Sequence, residues 1–514
     1  MPHFSLVFLV FYFAILILPS AFGLHRYYLL FLYYRFQKQK PSAPSFESLF
    51  EDGHGNLNAA PWVTVQLPIY NEQYVAPRLI QAICAFEYPS ERLEIQVLDD
   101  STDETVAVVE REVSEWRKRG FAIHHVRRGN REGFKAGALA HGLKEAKGEF
   151  VAVFDADFLP KPDFLKKVIP HFYSEPGIGM VQTRWEHLNR DYSLLTQAQA
   201  ILLDGHFIIE HTARHRSGCF FNFNGTAGVW RKSCIEDAGG WSGETLTEDI
   251  DLSYRAQMKG WRFVYLDEVV APAELPVDIN ALKTQQHRWA KGSVQVAKKL
   301  LPSILKGPYP RRVKMEAFFH LAANFNYLLM AILSFLLPVA IYVRREQGWY
   351  DMLWIDLPLF LSATWSVSVF YYHSQKRAYS DWFSRVKYIF FSLALGIGLC
   401  LNNSKAVIEG LRGKTGEFTR TPKYAVVNRS DSWKEKGYRG RLPFLSLVEV
   451  FLTLLYGATV AYALSEGLYL SVPFLLLFVV GFGYSSLLSL AQFRGGVGAP
   501  IASPMETPIE AQIS

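Results

Sequence analysis

Cysteine is scarce. The chain has four in 514 residues, Cys84, Cys219, Cys234 and Cys400, with no C-x-x-C pair among them. That excludes a disulfide-dense scaffold and a structural zinc cluster. Charge is also low, at 20% of residues, where a soluble domain of this size carries roughly 25%. Half the residues are apolar and 15% aromatic, which excludes a disordered chain and argues for a membrane portion. The mean hydropathy is +0.05. No G-x-G-x-x-G follows a strand pattern and no G-x-x-x-x-G-K-[ST] loop occurs, so a dinucleotide oxidoreductase and a P-loop nucleotidase are poor readings. A basic patch with interleaved aromatics is absent too, which speaks against a nucleic-acid partner. Basic flanks of membrane segments account for the net charge of +6.

The apolar residues are concentrated. Residues 4–33 form one run, and others lie at 322–343, 353–373, 388–401, 443–464 and 467–491. Most approach the ~20 residues that cross a bilayer as a helix. The small residues of SAFG near position 20 imitate a signal-peptide cleavage site. The start MPHFS, however, has no Lys or Arg cluster, and Arg35, Lys38 and Lys40 follow the run. The expectation is a retained anchor (1–34) with residue 35 onward in the cytoplasm. A cytoplasmic linker (35–59) and a soluble domain with interfacial helices at its end (60–310) follow. Two membrane helices are expected in 311–374. The segment 375–410 is basic at both ends and short in apolar length, so it reads as interfacial or re-entrant. A cytoplasmic loop (411–441), two further membrane helices (442–491) and a flexible tail (492–514) complete five crossings. Asp356 and Glu449 interrupt their runs and predict helices that face one another. Arg344 and Arg345 fall on the expected outer side, against the charge rule.

The soluble stretch alternates strand and helix patterns. Strands are expected at 62–72, 93–98, 121–128 and 150–160, with helices between them. This pattern predicts an α/β fold with a mainly parallel sheet and helices on both faces. Ligands of such sheets gather at the carboxyl ends of strands, where Asp99, Asp100, Asp155 and Asp157 lie.

Three constellations carry chemistry. Asp155-Ala156-Asp157 places two carboxylates at alternate positions of an ending strand, so they converge. Convergent like charges need a cation between them, and Mg²⁺ or Mn²⁺ with phosphate ligands would serve. A solvated strand end is the plainer alternative. Thr247-Glu248-Asp249 opens an amphipathic helix. Asp249 is the choice for a general base, although periodicity alone does not separate Glu248, Asp249 and Asp251. Gln285-x-x-Arg288-Trp289 offers a guanidinium fork for a leaving diphosphate and a flat face for a sugar, with His287 read as structural.

In this order the motifs resemble those of inverting family 2 glycosyltransferases of the cellulose synthase superfamily. IQVLDDSTDET, KAGAL, FDADFLPKPDFL, FNFNGTAGVWR, EDAGGW and QQHRW resemble the cellulose-synthase-like mannan and glucomannan synthases and the xyloglucan-backbone glucan synthases. The likeness covers residues 60–300 well and the membrane part loosely. It implies a GT-A-like catalytic domain joined to a helical membrane region, and a processive β-1,4-hexosyltransferase that exports its polymer. A rival is a membrane enzyme adding one sugar to a lipid, and a non-catalytic scaffold is a third class. By the resemblance, Asp99 or Asp100 holds the nucleoside, and Lys135 of KAGAL belongs to the donor site. Asp155 and Asp157 hold metal and diphosphate. Asp249 is the base, in a site shaped by Glu248 and Thr247. Gln285, Arg288 and Trp289 line the diphosphate and the acceptor end. Asn224, Gly225, Thr226 and Trp185 lie along the acceptor. Phe418-Thr419-Arg420-Thr421-Pro422-Lys423 resembles the family's gating loop, with Arg420 in place of Val, and Thr421 and Lys423 would reach the diphosphate. The donor is a nucleotide-sugar, with UDP-glucose placed slightly ahead of GDP-mannose, and the acceptor a polysaccharide. Oligomerisation or an accessory export subunit is compatible with this reading. The membrane is the plasma membrane in a bacterial cell, and Golgi or plasma membrane in a eukaryotic one.

Overall fold

The computed structural model describes residues 2–52, 57, 59–349, 353–413, 420–433 and 444–494, with only the backbone of 2–4, 353–354 and 494. Phe418, Thr419, much of the 411–441 loop and nearly all of the expected tail lie outside the described residues.

Among the described residues seven strands form one sheet: β1 (Val63–Ile69), β2 (Leu93–Asp99), β3 (Ala122–Val126), β4 (Phe150–Val153), β5 (Ile178–His187), β6 (Gly228–Arg231) and β7 (Arg262–Ala273). Their order is β3-β2-β1-β4-β6-β5-β7. Strands β1 to β4 pair in parallel, with Val63 opposite both Leu93 and Phe150. The sheet is mixed because β6 runs antiparallel between β4 and β5, while β7 is parallel to β5. Every strand except β6 therefore ends on one edge, and β6 begins there. This reversal brings residues 224–227 beside the end of β4 and against Gln182 and Thr183 of β5.

The central strands are buried on both faces, so their polar residues must find partners inside. The Thr64 hydroxyl donates to Glu94 Oε2 at 2.7 Å, and Gln66 Nε2 donates to Gln96 Oε1 at 3.0 Å. One face packs Val65, Leu67 and Val97 against Ile80, Ile83 and Val109 of the helices Ala76–Cys84 and Thr105–Lys118. The other packs Val151, Val153 and Phe263 against Leu139 and Leu252 of the helices Phe134–Glu145 and Glu248–Met258. The fourth strand stops at Val153, short of the expected 160. Asp155 and Asp157 therefore stand on the turn after the strand, not on its last alternate positions.

Among the described residues four helices are long and apolar enough to cross a membrane: Ser5–Phe36, Phe325–Glu346, Leu445–Ser465 and Tyr469–Phe493. The chain is a multi-pass integral membrane protein. The pair Trp382–Gly398 and Cys400–Leu411 bends by 46°, as a broken span or a re-entrant loop does. The 353–373 run differs from the expected single membrane helix. It is helical as Leu353–Phe360, a π segment Leu361–Trp365 and Ser366–Ala378, three pieces of 8, 5 and 13 residues. Gly23 explains the small residues near position 20. A Cβ there would lie 1.6 Å from the Ser362 carbonyl oxygen and 2.7 Å from Ser366 Oγ, so the small side chain permits close helix contact.

The polar interruptions are paired. Arg344 grips Asp356 at 2.7 and 3.0 Å, and Arg345 meets Glu466 at 2.8 Å, which explains the two arginines that broke the charge rule. Glu449 is fully buried and takes Lys283 Nζ at 2.8 and 2.9 Å; Ser489 accepts from the same ammonium at 3.0 Å. Lys283 lies on the helix Ile279–Lys306 that also carries Gln285, Arg288 and Trp289. Removing one partner of a buried pair costs about 3–5 kcal/mol, whereas an apolar pair of similar volume is tolerated. Glu449→Ala is expected to lower the thermal unfolding midpoint in detergent sharply, and Lys283→Met with Glu449→Leu to recover most of it.

Candidate active site

The strand edge opens into one cleft. It is lined by Tyr70 and Glu72 after β1, Asp100 after β2, Asp155 and Asp157 after β4, and Trp185 on β5. Asn224 and Gly225 before β6, the triplet Thr247-Glu248-Asp249, and Gln285, Arg288 and Trp289 close the other side. Lys135, Arg420, Thr421 and Lys423 complete it.

Lys135 is the internal counter-ion. Its ammonium lies 2.5 Å from Asp155 Oδ1, 2.8 Å from the Gly225 carbonyl and 3.7 Å from Glu248 Oε1. Burial alone would lower its pKa, but Asp155 and Glu248 outweigh it and raise the value. Asp249 follows Glu248 in the first turn of its helix and accepts the Ile250 N–H at 2.9 Å. Burial, reinforced by the Glu248 carboxylate, lifts its pKa to about 7, which suits a general base at neutral pH. Asp251 is a different kind of acid. It is fully buried, points at Arg255 and Lys299 at 2.8 Å each, and does not line the cleft. Thr247 occupies the N-cap position without a capping hydrogen bond. The helix Ile279–Lys306 comes so close here that a Cβ on Gly292 would lie 2.5 Å from Thr247 Cγ2.

Gln285, Arg288 and Trp289 share a face because they lie three and four residues apart on one helix. Burial lowers the Arg288 pKa, and the charges of Glu248, Asp155, Asp249 and Glu72 oppose the shift; a guanidinium stays charged under such conditions. Trp289 and Trp185 face each other with ring centroids 6.5 Å apart, and Phe158 meets the Trp185 ring at 5.1 Å. His287 bonds to Glu409 at 3.1 Å, which ties its helix to Cys400–Leu411 and gives the side chain a structural place.

The described part of the loop lies over the carboxylates. Lys423 donates to Asp157, and Arg420 donates to the Asn71 carbonyl beside Glu72. Glu274 accepts the Tyr424 N–H at 2.9 Å and pairs with Arg78 at 2.7 Å, which anchors the loop's return.

Two expected cleft residues stand elsewhere. Asp99 is buried, with its carboxylate bonded to His125 and to the Ser101 N–H at 2.8 Å each. Burial pushes its pKa up, but these hydrogen bonds prevail and hold it below the ordinary value. Asp100 is the one in the cleft, gripped by Arg128 at 2.7 and 2.5 Å. Thr226 is fully buried, and its Oγ1 accepts the Asp155 N–H at 2.9 Å; it supports the turn and does not line the cleft.

Residues 60–292 match the family described as glycosyltransferase like family 2. This segment belongs to that family. The chain is 41% identical over 296 residues to glucomannan 4-beta-mannosyltransferase 1 of Oryza sativa subsp. japonica, covering 57% of this chain and 56% of that one. It is 43% identical over 275 residues to glucomannan 4-beta-mannosyltransferase 2 of Arabidopsis thaliana, covering 53% and 52%. The match thus spans about half the length of these curated relatives. A mannosyltransferase from Pyrobaculum calidifontis, solved in complex with GDP-Man and Mn²⁺, shares the GT-A-like fold. Its TM-score is 0.52 at 22% identity, covering 78% of this chain and 99% of that one.

Among the described residues no group of three or more His, Cys, Asp or Glu side chains is placed to hold a metal ion by itself. Asp155 and Asp157 nonetheless provide two hard oxygen donors on one cleft wall. They fit a divalent cation that draws its other ligands from diphosphate and water, as Mg²⁺ does, and not a cation caged by protein alone. The buried hydroxyls of Thr247 and Thr421 line the cleft without a hydrogen-bond partner among the described residues, and suit a polar ligand. Sequence reasoning missed Tyr70, Glu72 and Arg131. The Arg131 guanidinium lies 3.2 Å above the Tyr70 ring centre, a flat surface against which a base can stack. Burial raises the Glu72 pKa to about 7, opposed by Arg420. Their only sequence signal is their place, just after the first strand and in the turn after the third.

Proposed function

We propose that the protein is an inverting, divalent-cation-assisted glycosyltransferase that builds a β-1,4-linked mannan or glucomannan from a nucleotide-sugar. One observation carries the reading: Asp249, Asp155 and Asp157, Arg288 with Trp289, and Lys423 meet in one cleft. The chemistry follows from their places. Asp249 takes the proton of an acceptor hydroxyl. The cation at Asp155 and Asp157 would neutralise the donor diphosphate. Arg288 and, from the loop, Lys423 stabilise the charge that develops as the diphosphate leaves. Lys135 keeps Glu248 and Asp155 from repelling the anionic leaving group. With Asp249 acting as a base and not as a nucleophile, a direct displacement would invert an α-linked donor into a β-linked product. Trp289 and Trp185 form the stacking walls of the acceptor path.

Sequence reasoning placed UDP-glucose slightly ahead. The names of relatives at 41% and 43% identity print mannosyl transfer, which supports a mannose donor, and of the two nucleotide-sugars we place GDP-mannose first. Arg35, Lys38 and Lys40 after the first membrane helix support a catalytic domain on the cytoplasmic side, and the membrane helices support a polymer that leaves through the helix bundle. The test uses membranes holding the full chain, radiolabelled GDP-mannose or UDP-glucose, and Mg²⁺ or Mn²⁺, with linkage analysis and sizing. Long β-1,4-mannose-containing chains are expected. A single sugar on a lipid would replace polymerisation by lipid glycosylation, and no transfer from either donor would overturn the reading.

A further inference from the structure

Asn224 lines the cleft one residue before Gly225, where an added Cβ would lie 3.0 Å from Asp249 Oδ2. Its amide is gripped from behind. Nδ2 lies 2.7 Å from His211 Nε2, and Oδ1 lies 3.0 Å from His206 Nε2. Its own N–H donates to Gln182 Oε1 at 2.9 Å, which fixes the backbone as well. Oδ1 also accepts from Asn222 Nδ2 at 3.3 Å, so the amide is held at both ends and one Nδ2–H is left for a ligand in the cleft that Asn224 lines.

The grip depends on an uncommon backbone. Gly205–His211 is wound as a π-helix. An α-helix would place residues five apart about 140° around its axis. The i→i+5 winding of a π segment places them on one face, and such segments occur mostly at functional sites. His206 and His211 therefore meet edge-to-face with ring centroids 4.3 Å apart, and both bond to Asn224. The segment is pressed from outside, since a Cβ on Gly205 would lie 2.6 Å from the Tyr371 ring. His206 is held in turn by Glu210 at 3.1 Å, Glu210 by Arg214 at 3.2 Å, and Arg214 by Glu316 at 3.3 Å. Glu316 takes His25 of the first membrane helix at 2.7 Å. Among the described residues none of these groups belongs to the cleft lining.

We propose that His206 is a positioning residue for the acceptor: with His211 it holds Asn224 so that the amide presents an acceptor-sugar hydroxyl to Asp249. The inference rests on the transfer reading above and adds the residues that orient the acceptor. It separates the two half-processes of the enzyme. Donor binding and transfer to water do not need an oriented sugar hydroxyl, whereas transfer to a saccharide does.

The full chain in nanodiscs is given the radiolabelled donor alone, then the donor with β-1,4-mannohexaose. The parent protein tests the reading itself, because absence of saccharide transfer there ends it before any variant is made. In His206→Ala, transfer to the hexaose is expected to fall about ten- to a hundredfold, the scale of a misplaced reactant, mainly through a higher KM for the hexaose. Donor hydrolysis and the KM for donor should stay within about twofold of the parent, within the additivity error of such measurements, which also shows that the variant is folded. His206→Gln, which can still bond to the amide, should recover most of the transfer. Adding His206→Ala to Asn224→Ala should cause no further loss. Equal loss of hydrolysis and transfer, no loss at all, or losses that multiply in the double variant would each overturn the proposal.

Discussion

Asp249→Asn is expected to remove nearly all saccharide transfer and to leave donor binding largely intact. The substitution keeps the size of the side chain but removes the carboxylate that an added Cβ on Gly225 would meet at 3.0 Å. A positioned general base contributes about 10²–10⁴ in rate, so kcat should fall by about a thousandfold while the KM for donor holds. The pH profile gives a second signature. The Asp249 pKa is raised to about 7 by burial and by Glu248, and a base works only when deprotonated. Activity should therefore be present above about pH 7 and fall with one proton as the pH drops through it, read as the acid limb of kcat/KM. Glu72 is raised to a similar value and would give a limb of the same sign. Glu72→Gln that keeps the acid limb assigns it to Asp249; Glu72→Gln that removes it would refute the assignment.

A methyl group added at Gly225 should disable the enzyme although glycine takes no part in the chemistry. Gly225 has φ +82°, and its Cβ would lie 3.0 Å from Asp249 Oδ2 and 3.4 Å from Lys135 Nζ. The base and its counter-ion would both have to shift, and a displacement of the order of 1 Å can cost about a hundredfold in rate. Backbone strain alone would also destabilise the fold, by roughly 1–2 kcal/mol for a left-handed residue with a side chain. Gly240 separates the two effects, because it has φ +74° but nothing within 4 Å of its Cβ. Gly225→Ala and Gly240→Ala should lose similar thermal stability, and only Gly225→Ala should lose activity. Equal activity in the two variants would show that the contact with Asp249 does not matter.

The fate of individual residues shows how far the linear pattern reached. Hydrophobic runs and charged flanks located the membrane helices, because crossing a bilayer demands long apolar stretches wherever they lie. The run at 353–373 was apolar enough, yet its π segment is a response to the packing of neighbouring helices, which no local pattern encodes. Strand and helix periodicity located the α/β core, but the reversal of β6 depends on pairing between distant segments. The adjacent acids Asp99 and Asp100 looked alike in sequence. Burial of one against His125 and exposure of the other to the cleft separated them. Asp249 and Asp251 were inseparable by periodicity, until Arg255 and Lys299 were found to occupy Asp251.

By itself the sequence determined the class of molecule: a membrane-anchored α/β domain with acidic strand ends and a Gln-x-x-Arg-Trp helix. Composition, periodicity and motif order are local quantities and survive without coordinates. The tertiary structure alone decided which acids share the cleft, that Lys135 neutralises two of them, and that two histidines on a π segment grip Asn224. Those facts depend on burial and on contacts between residues far apart in the chain, where a few ångströms set both charge state and direction.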